Sequence, residues 1–155
     1  MKYQTILAAA LLSLSPAFAG PGHDHSHEEV KTDAKPAGPN GGRIVTAGDL
    51  SYEFLVLPDR KVKITFLDKE NKPAPLKEQT VTAIGGDRSA PVKLAFIKDG
   101  DSLISNQPFP AGDSLPIVIQ VKPNPDAKSI TSKFSVNLSS CPTCEHAEYA
   151  CTCGH

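Results

Sequence analysis

Between Arg43 and Leu138 apolar residues recur at every second position, in runs separated by turn chemistry and too short to make a helical stripe. KVKITF puts Val62, Ile64 and Phe66 on one face and Lys61, Lys63 and Thr65 on the other. VKLAF repeats the pattern with Val92, Leu94 and Phe96, and PIVIQV with Ile117, Ile119 and Val121. In SITSKFSVNL, Ile130, Phe134, Val136 and Leu138 share a face. A period of two is the signature of half-buried strands. GRIVTA, SYEFLVL, QTVTAIG and DSLIS are further strand segments. Turn residues punctuate them at 58–60, 68–72, 85–91, 98–101, 107–113 and 122–128. Fourteen prolines, eleven glycines and no tryptophan fit the same turn-rich class. The expectation is an all-β fold: a single antiparallel, Ig-like β-sandwich of about eight strands.

The flanks differ from this body. MKYQTILAAALLSLSPAFAG has a basic Lys2, an apolar run over Ile6–Leu14, and Ala17 and Ala19 at the −3 and −1 positions of a cleavage site. Residues 1–19 therefore read as an export signal. The apolar run is shorter than the ~20 residues needed to cross a bilayer, so no stable membrane anchor is expected once the signal is cleaved. The protein is then periplasmic or secreted. Residues 20–40 carry one large apolar side chain, Val30, among Gly, Pro and charge, and read as a disordered arm. Residues 41–139 form the sandwich domain and 140–155 a short Cys-rich tail.

Sixteen Lys and Arg balance seventeen Asp and Glu, with no basic stripe, which argues against nucleic acid as a partner. No His or Cys lies between Val30 and Cys141, so the body holds no Ser-His or Cys-His nucleophile pair. Its carboxylates, among them Asp49, Glu53 and Asp68, fall in turns or on outward faces and read as solvated charge. The chain is not expected to be an enzyme.

All the cysteines sit in CPTCEHAEYACTCGH, spaced C-x2-C-x6-C-x-C. Exported proteins usually pair cysteines as disulfides. A disulfide stabilises by closing a loop across a fold, whereas these four thiols share one peptide and staple no strands. Cys-Pro-Thr-Cys is a knuckle that turns two thiolates toward one ion, and Cys151 and Cys153 supply two more. Thiolates suit Zn²⁺ and also Cu⁺. The metal candidates in the tail are Cys141, Cys144, Cys151, Cys153, His146 and His155, with a disulfide knot or redox thiols as the alternatives. Haem attachment needs C-x-x-C-H, and Glu145 follows Cys144. In the arm, His23, His25 and His27 lie among Asp24, Glu28 and Glu29 and form a weaker candidate site, or else a polar spacer.

Two constraints attach to the tail. EHAEYA is good helix sequence, but a helix would separate Cys144 from Cys151 by ~10.5 Å at 1.5 Å per residue. Four-sulfur binding thus requires the chain to fold back. Four thiolates on a divalent ion also leave excess negative charge, and no Lys or Arg follows Lys133. Because no thiol reaches the strands, the body is expected to fold without the tail.

The stretch GPNGGRIVTAGDLSYEFLVLPDRKVKITFLDKENKPAPL (38–76) resembles the small β domains of heavy-metal efflux periplasmic adaptor (membrane fusion) proteins. The likeness rests on Gly41-Gly42-Arg43-Ile44 following a His-rich arm. In those domains a histidine tends to precede the Gly-Gly pair; here it is Asn40, so no site is carried over at that point. The coiled-coil and lipoyl-like parts of such adaptors have no counterpart in this chain. The resemblance implies an exported β domain with metal-handling ends, whose partner is a metal ion and a metal-efflux or envelope protein.

Overall fold

Each of the eight alternating segments forms a strand: β1 (Arg43–Ala47), β2 (Leu50–Val56), β3 (Val62–Leu67), β4 (Thr80–Gly85), β5 (Val92–Asp99), β6 (Ser102–Ser105), β7 (Ser114–Lys122) and β8 (Ile130–Asn137). The computed structural model describes residues 36–153. The export signal, His23, His25 and His27 of the arm, and His155 of the tail lie outside the described residues. One 3-10 turn, Glu148–Ala150, follows β8.

All pairings are antiparallel, in the order β1-β2-β3-β6-β5-β4-β7-β8. The all-β antiparallel fold with eight strands is as the alternation required. β5 joins its two layers: Val92–Ala95 pair with β4, while Phe96–Asp99 pair with β6. A strand that changes partner midway makes a corner between packed layers, and the continuous ladder gives the sandwich a barrel-like curl. β1 and β2 turn through Gly48-Asp49, where Gly48 takes a φ of 61° that a two-residue hairpin loop favours.

The inner faces form one core. Val62, Ile64, Ile117, Ile119, Val121 and Val136 are at most 1 % exposed, as their alternation predicts. Burying each such side chain contributes about 1.5–3 kcal/mol relative to leaving it in water. Phe54 of β2 meets Phe134 of β8 edge-on, with ring centroids 5.1 Å apart. That contact brings the first half of the chain against the last strand.

Glu53 departs from the sequence expectation. It stands on the outward face of β2, yet it is fully buried. Residues 38–42 turn over it, closed by Gly38 N–H to Gly42 O at 2.8 Å and Gly41 N–H to Gly38 O at 2.9 Å. The carboxylate accepts from Asn40 N (2.8 Å), Asn40 Nδ2 (2.7 Å) and Gly42 N (2.8 Å). A buried charge needs such donors. A Cβ on Gly42 would lie 2.5 Å from Phe54 O, so only glycine allows this approach. With Ala37 bridged to Arg43, the ordered body starts before Gly41, and the expected arm loses its last residues to this turn.

Candidate metal centre

The tail folds back as four-sulfur binding requires. After β8, Asn137 Oδ1 accepts Ser139 N–H at 3.0 Å. Ser139 O then accepts Glu148 N–H at 2.9 Å, and Cys141 N–H donates to His146 O at 2.9 Å. With the Ser140–Ala147 bridge these bonds make a small hairpin around the Cys-Pro-Thr-Cys knuckle. The predicted helical stretch contracts to the single 3-10 turn Glu148–Ala150, which reverses the chain and returns Cys151 to the knuckle.

The sulfurs of Cys141, Cys144, Cys151 and Cys153 all lie within 4.8 Å of one another. Cys151 Sγ is 3.4 Å from Cys141 Sγ and 3.8 Å from Cys144 Sγ. A tetrahedron of Zn–S bonds of ~2.3 Å has edges of about 3.8 Å, whereas a disulfide bond is ~2.05 Å. The four cysteines are present as thiols in a cluster of the right size for one metal ion. Cys141 is buried and the other three are half-buried, so one side of the cluster faces solvent.

Hydrogen bonds differentiate the sulfurs. The Thr143 hydroxyl and the Thr143 backbone N–H, with smaller help from the Cys151 thiol and the Cys144 N–H, lower the Cys141 pKa to about 6. Burial pushes Cys151 up to about 12, and the neighbouring thiols of Cys141, Cys144 and Cys153 add to the rise. Cys153 N–H donates to Cys151 Sγ at 3.2 Å. Without metal, these contacts favour the thiolate at Cys141 over Cys151. Because the ligating form of cysteine is the thiolate, an incoming ion displaces the protons that the sulfurs hold.

His146 is held apart from the sulfurs: its imidazole packs by Gly41, where an added Cβ would lie 3.5 Å from Nδ1. It lines an open groove of about 440 Å³ with Asn40, Glu145 and Tyr149. Among the described residues, the group close enough to share one ion is the four cysteines.

The tail is not an appendage. Tyr149 and Ala150 are buried with the sandwich core. The Tyr149 hydroxyl accepts Val56 N–H at 2.9 Å, and its ring stands edge-on to Phe54 at 5.6 Å. Arg43 of β1 lies over the Phe134 ring at 4.8 Å and donates to Tyr149 O at 3.4 Å. The expectation that the body folds without residues 140–155 rests on the thiols alone; Tyr149 adds an aromatic anchor to the sandwich that the thiols do not provide. Arg43 also brings a cation to the tail from a distant strand. Comparison with protein families, with characterised proteins and with solved structures returns no match for this chain.

Proposed function

We propose that this protein is an exported, non-catalytic metal-binding protein that holds Zn²⁺ or Cu⁺ at its four cysteines, as a buffer, a carrier or an accessory to heavy-metal efflux. The observation that carries this reading is the convergence of four sulfurs within 4.8 Å from a segment with no other cysteine to pair with. The half-open site suits a protein that exchanges its ion. The leader sequence and the resemblance of residues 38–76 to efflux adaptor domains supply the compartment and the partner class. Met1 is the only methionine, which disfavours thioether copper sites.

A second reading has its own support. Tyr149 and Ala150 lie in the core two residues or fewer from Cys151, so the ion can serve structure. The protein would then be an interaction module of the cell envelope whose metal secures its C-terminal segment.

The test is a metal titration of reduced protein, purified anaerobically without a His-tag, followed by thiol alkylation with and without chelator. The expected result is one tightly held Zn²⁺ or Cu⁺, four protected thiols, and loss of the site in the Cys141→Ser/Cys144→Ser double variant. Changing His23, His25 and His27 to Ala leaves the tight site intact. Four oxidised cysteines and no metal in the exported protein would end the four-sulfur reading. Slow ion exchange coupled to unfolding would favour the structural role over the carrier.

A further inference from the structure

The excess charge of a four-thiolate site has to be answered by groups around the sulfurs. Arg43 reaches the tail at Tyr149 O, and backbone N–H groups serve Cys141 and Cys151. Thr143 does something different. Its Oγ1 lies 3.2 Å from Cys141 Sγ and 3.0 Å from Cys153 Sγ. These sulfurs belong to the two separate pairs, the Cys141/Cys144 knuckle and the Cys151/Cys153 arm. One exposed side chain therefore links the first ligand to the last.

Resting on the metal reading above, we propose that Thr143 is a positioning residue of the metal centre. Its hydroxyl spans Cys141 and Cys153 and sets how tightly the four sulfurs hold a thiophilic cation. The hydroxyl has one proton and two sulfur acceptors. The proton serves one sulfur at a time, so the hydroxyl draws electron density from Cys141 or Cys153 in turn and lowers the charge that the pair presents to the ion. It also fixes the Cys151–Cys153 segment against the knuckle before metal arrives, so less ordering remains for the binding step. Groups that hydrogen-bond metal ligands typically change affinity by 10–100-fold when removed. Thr143 takes this role through its hydroxyl alone, because its position is solvent-exposed and the side chain fills no core space.

The experiment uses the full reduced chain, titrated anaerobically with Co²⁺ as a spectroscopic probe and then with Zn²⁺ in chelator competition. Thr143→Val keeps the shape and removes the hydroxyl; Thr143→Ser keeps the hydroxyl. The expected result is a loss of about tenfold or more in affinity for Thr143→Val, with recovery in Thr143→Ser. The sulfur-to-cobalt charge-transfer band should move to lower energy in Thr143→Val, since its thiolates are richer donors. A merely structural role would leave that band in place. Equal melting temperatures of the metal-free variants would confirm that folding is not the cause. The proposal is overturned if Thr143→Val binds within twofold of the parent with the same band, or if Thr143→Ser is as weak as Thr143→Val. A parent protein that takes up none of Co²⁺, Zn²⁺ and Cu⁺ defeats the metal reading itself, and this inference with it.

Discussion

Removing the Tyr149 side chain tests whether the metal centre and the sandwich are one structure. Its hydroxyl takes the N–H of Val56, which lies past the last β1–β2 pair, Arg43 with Phe54. Tyr149→Phe leaves that N–H without its acceptor while keeping the ring against Phe54. An unsatisfied buried donor costs about 1–3 kcal/mol, and Val56 is half-buried, so about 1–2 kcal/mol is expected. Tyr149→Ala also loses the ring, 6 % exposed, together with an edge-to-face pair. Large aromatic truncations cost about 3–5 kcal/mol. At roughly 4–8 °C per kcal/mol for a domain of this size, the two variants should separate clearly in melting temperature. Urea unfolding of metal-free, reduced protein followed by far-UV circular dichroism measures both. Cys151 follows Tyr149 so closely that undocking the turn also scatters the sulfurs. Metal affinity should therefore fall as well, by up to tenfold per ~1.4 kcal/mol lost. If metal-free Tyr149→Ala unfolds within ~0.5 kcal/mol of the parent, a shift usual for surface changes, the tail is a separate appendage and this reasoning fails.

Alkylation of metal-free protein at stepped pH, read by peptide mass, should bring Cys141 into reaction at lower pH than Cys151, because the thiolate is the nucleophile and the Cys141 pKa lies at about 6; the burial of Cys141 slows its labelling without moving that midpoint. Cys151, pushed up to about 12, should resist throughout the neutral range, and equal labelling of the two would contradict the hydrogen bonding described. Below pH 6, protons compete for the first ligand and the metal should be released steeply, which a chelator-reporter titration follows. Glu53→Gln removes the charge and, with its oxygen kept on the N–H groups of Asn40 and Gly42, turns a donor toward the Asn40 side-chain amide. A loss of about 1–3 kcal/mol is expected, with faster proteolysis near residues 38–42; unchanged proteolysis would show the turn stands without the carboxylate.

The eight strands were legible because each alternates locally, and the sulfur cluster because its four thiols are close in sequence. What the sequence hid is non-local. Glu53 alternates outward correctly, but nothing in SYEFLVL reveals that residues 38–42 close over it. Tyr149 sits in a stretch with helical propensity, and tertiary contacts with Val56 and Phe54 override it. Arg43, 106 residues before Tyr149, meets the tail at the Tyr149 carbonyl, a contact that neither segment's sequence reveals. The partner change within β5 has no local mark either, since VKLAFIKD alternates through it.

In the strand order, β1 and β8 stand at opposite ends; the second side of β1 has only the Ala37 bridge at Arg43, and β1 and β8 touch without forming a ladder. The other side of such a strand carries backbone donors and acceptors that invite a strand from another molecule. The turn bearing Tyr149 lies against both β1 and β8. The Tyr149 contacts that keep this turn docked thereby guard against assembly through strand addition. Concentrated Tyr149→Ala protein, with the turn undocked, should form β-rich oligomers that the parent does not, and light scattering of the two would reveal them. One buried tyrosine would then decide whether the molecule stays solitary.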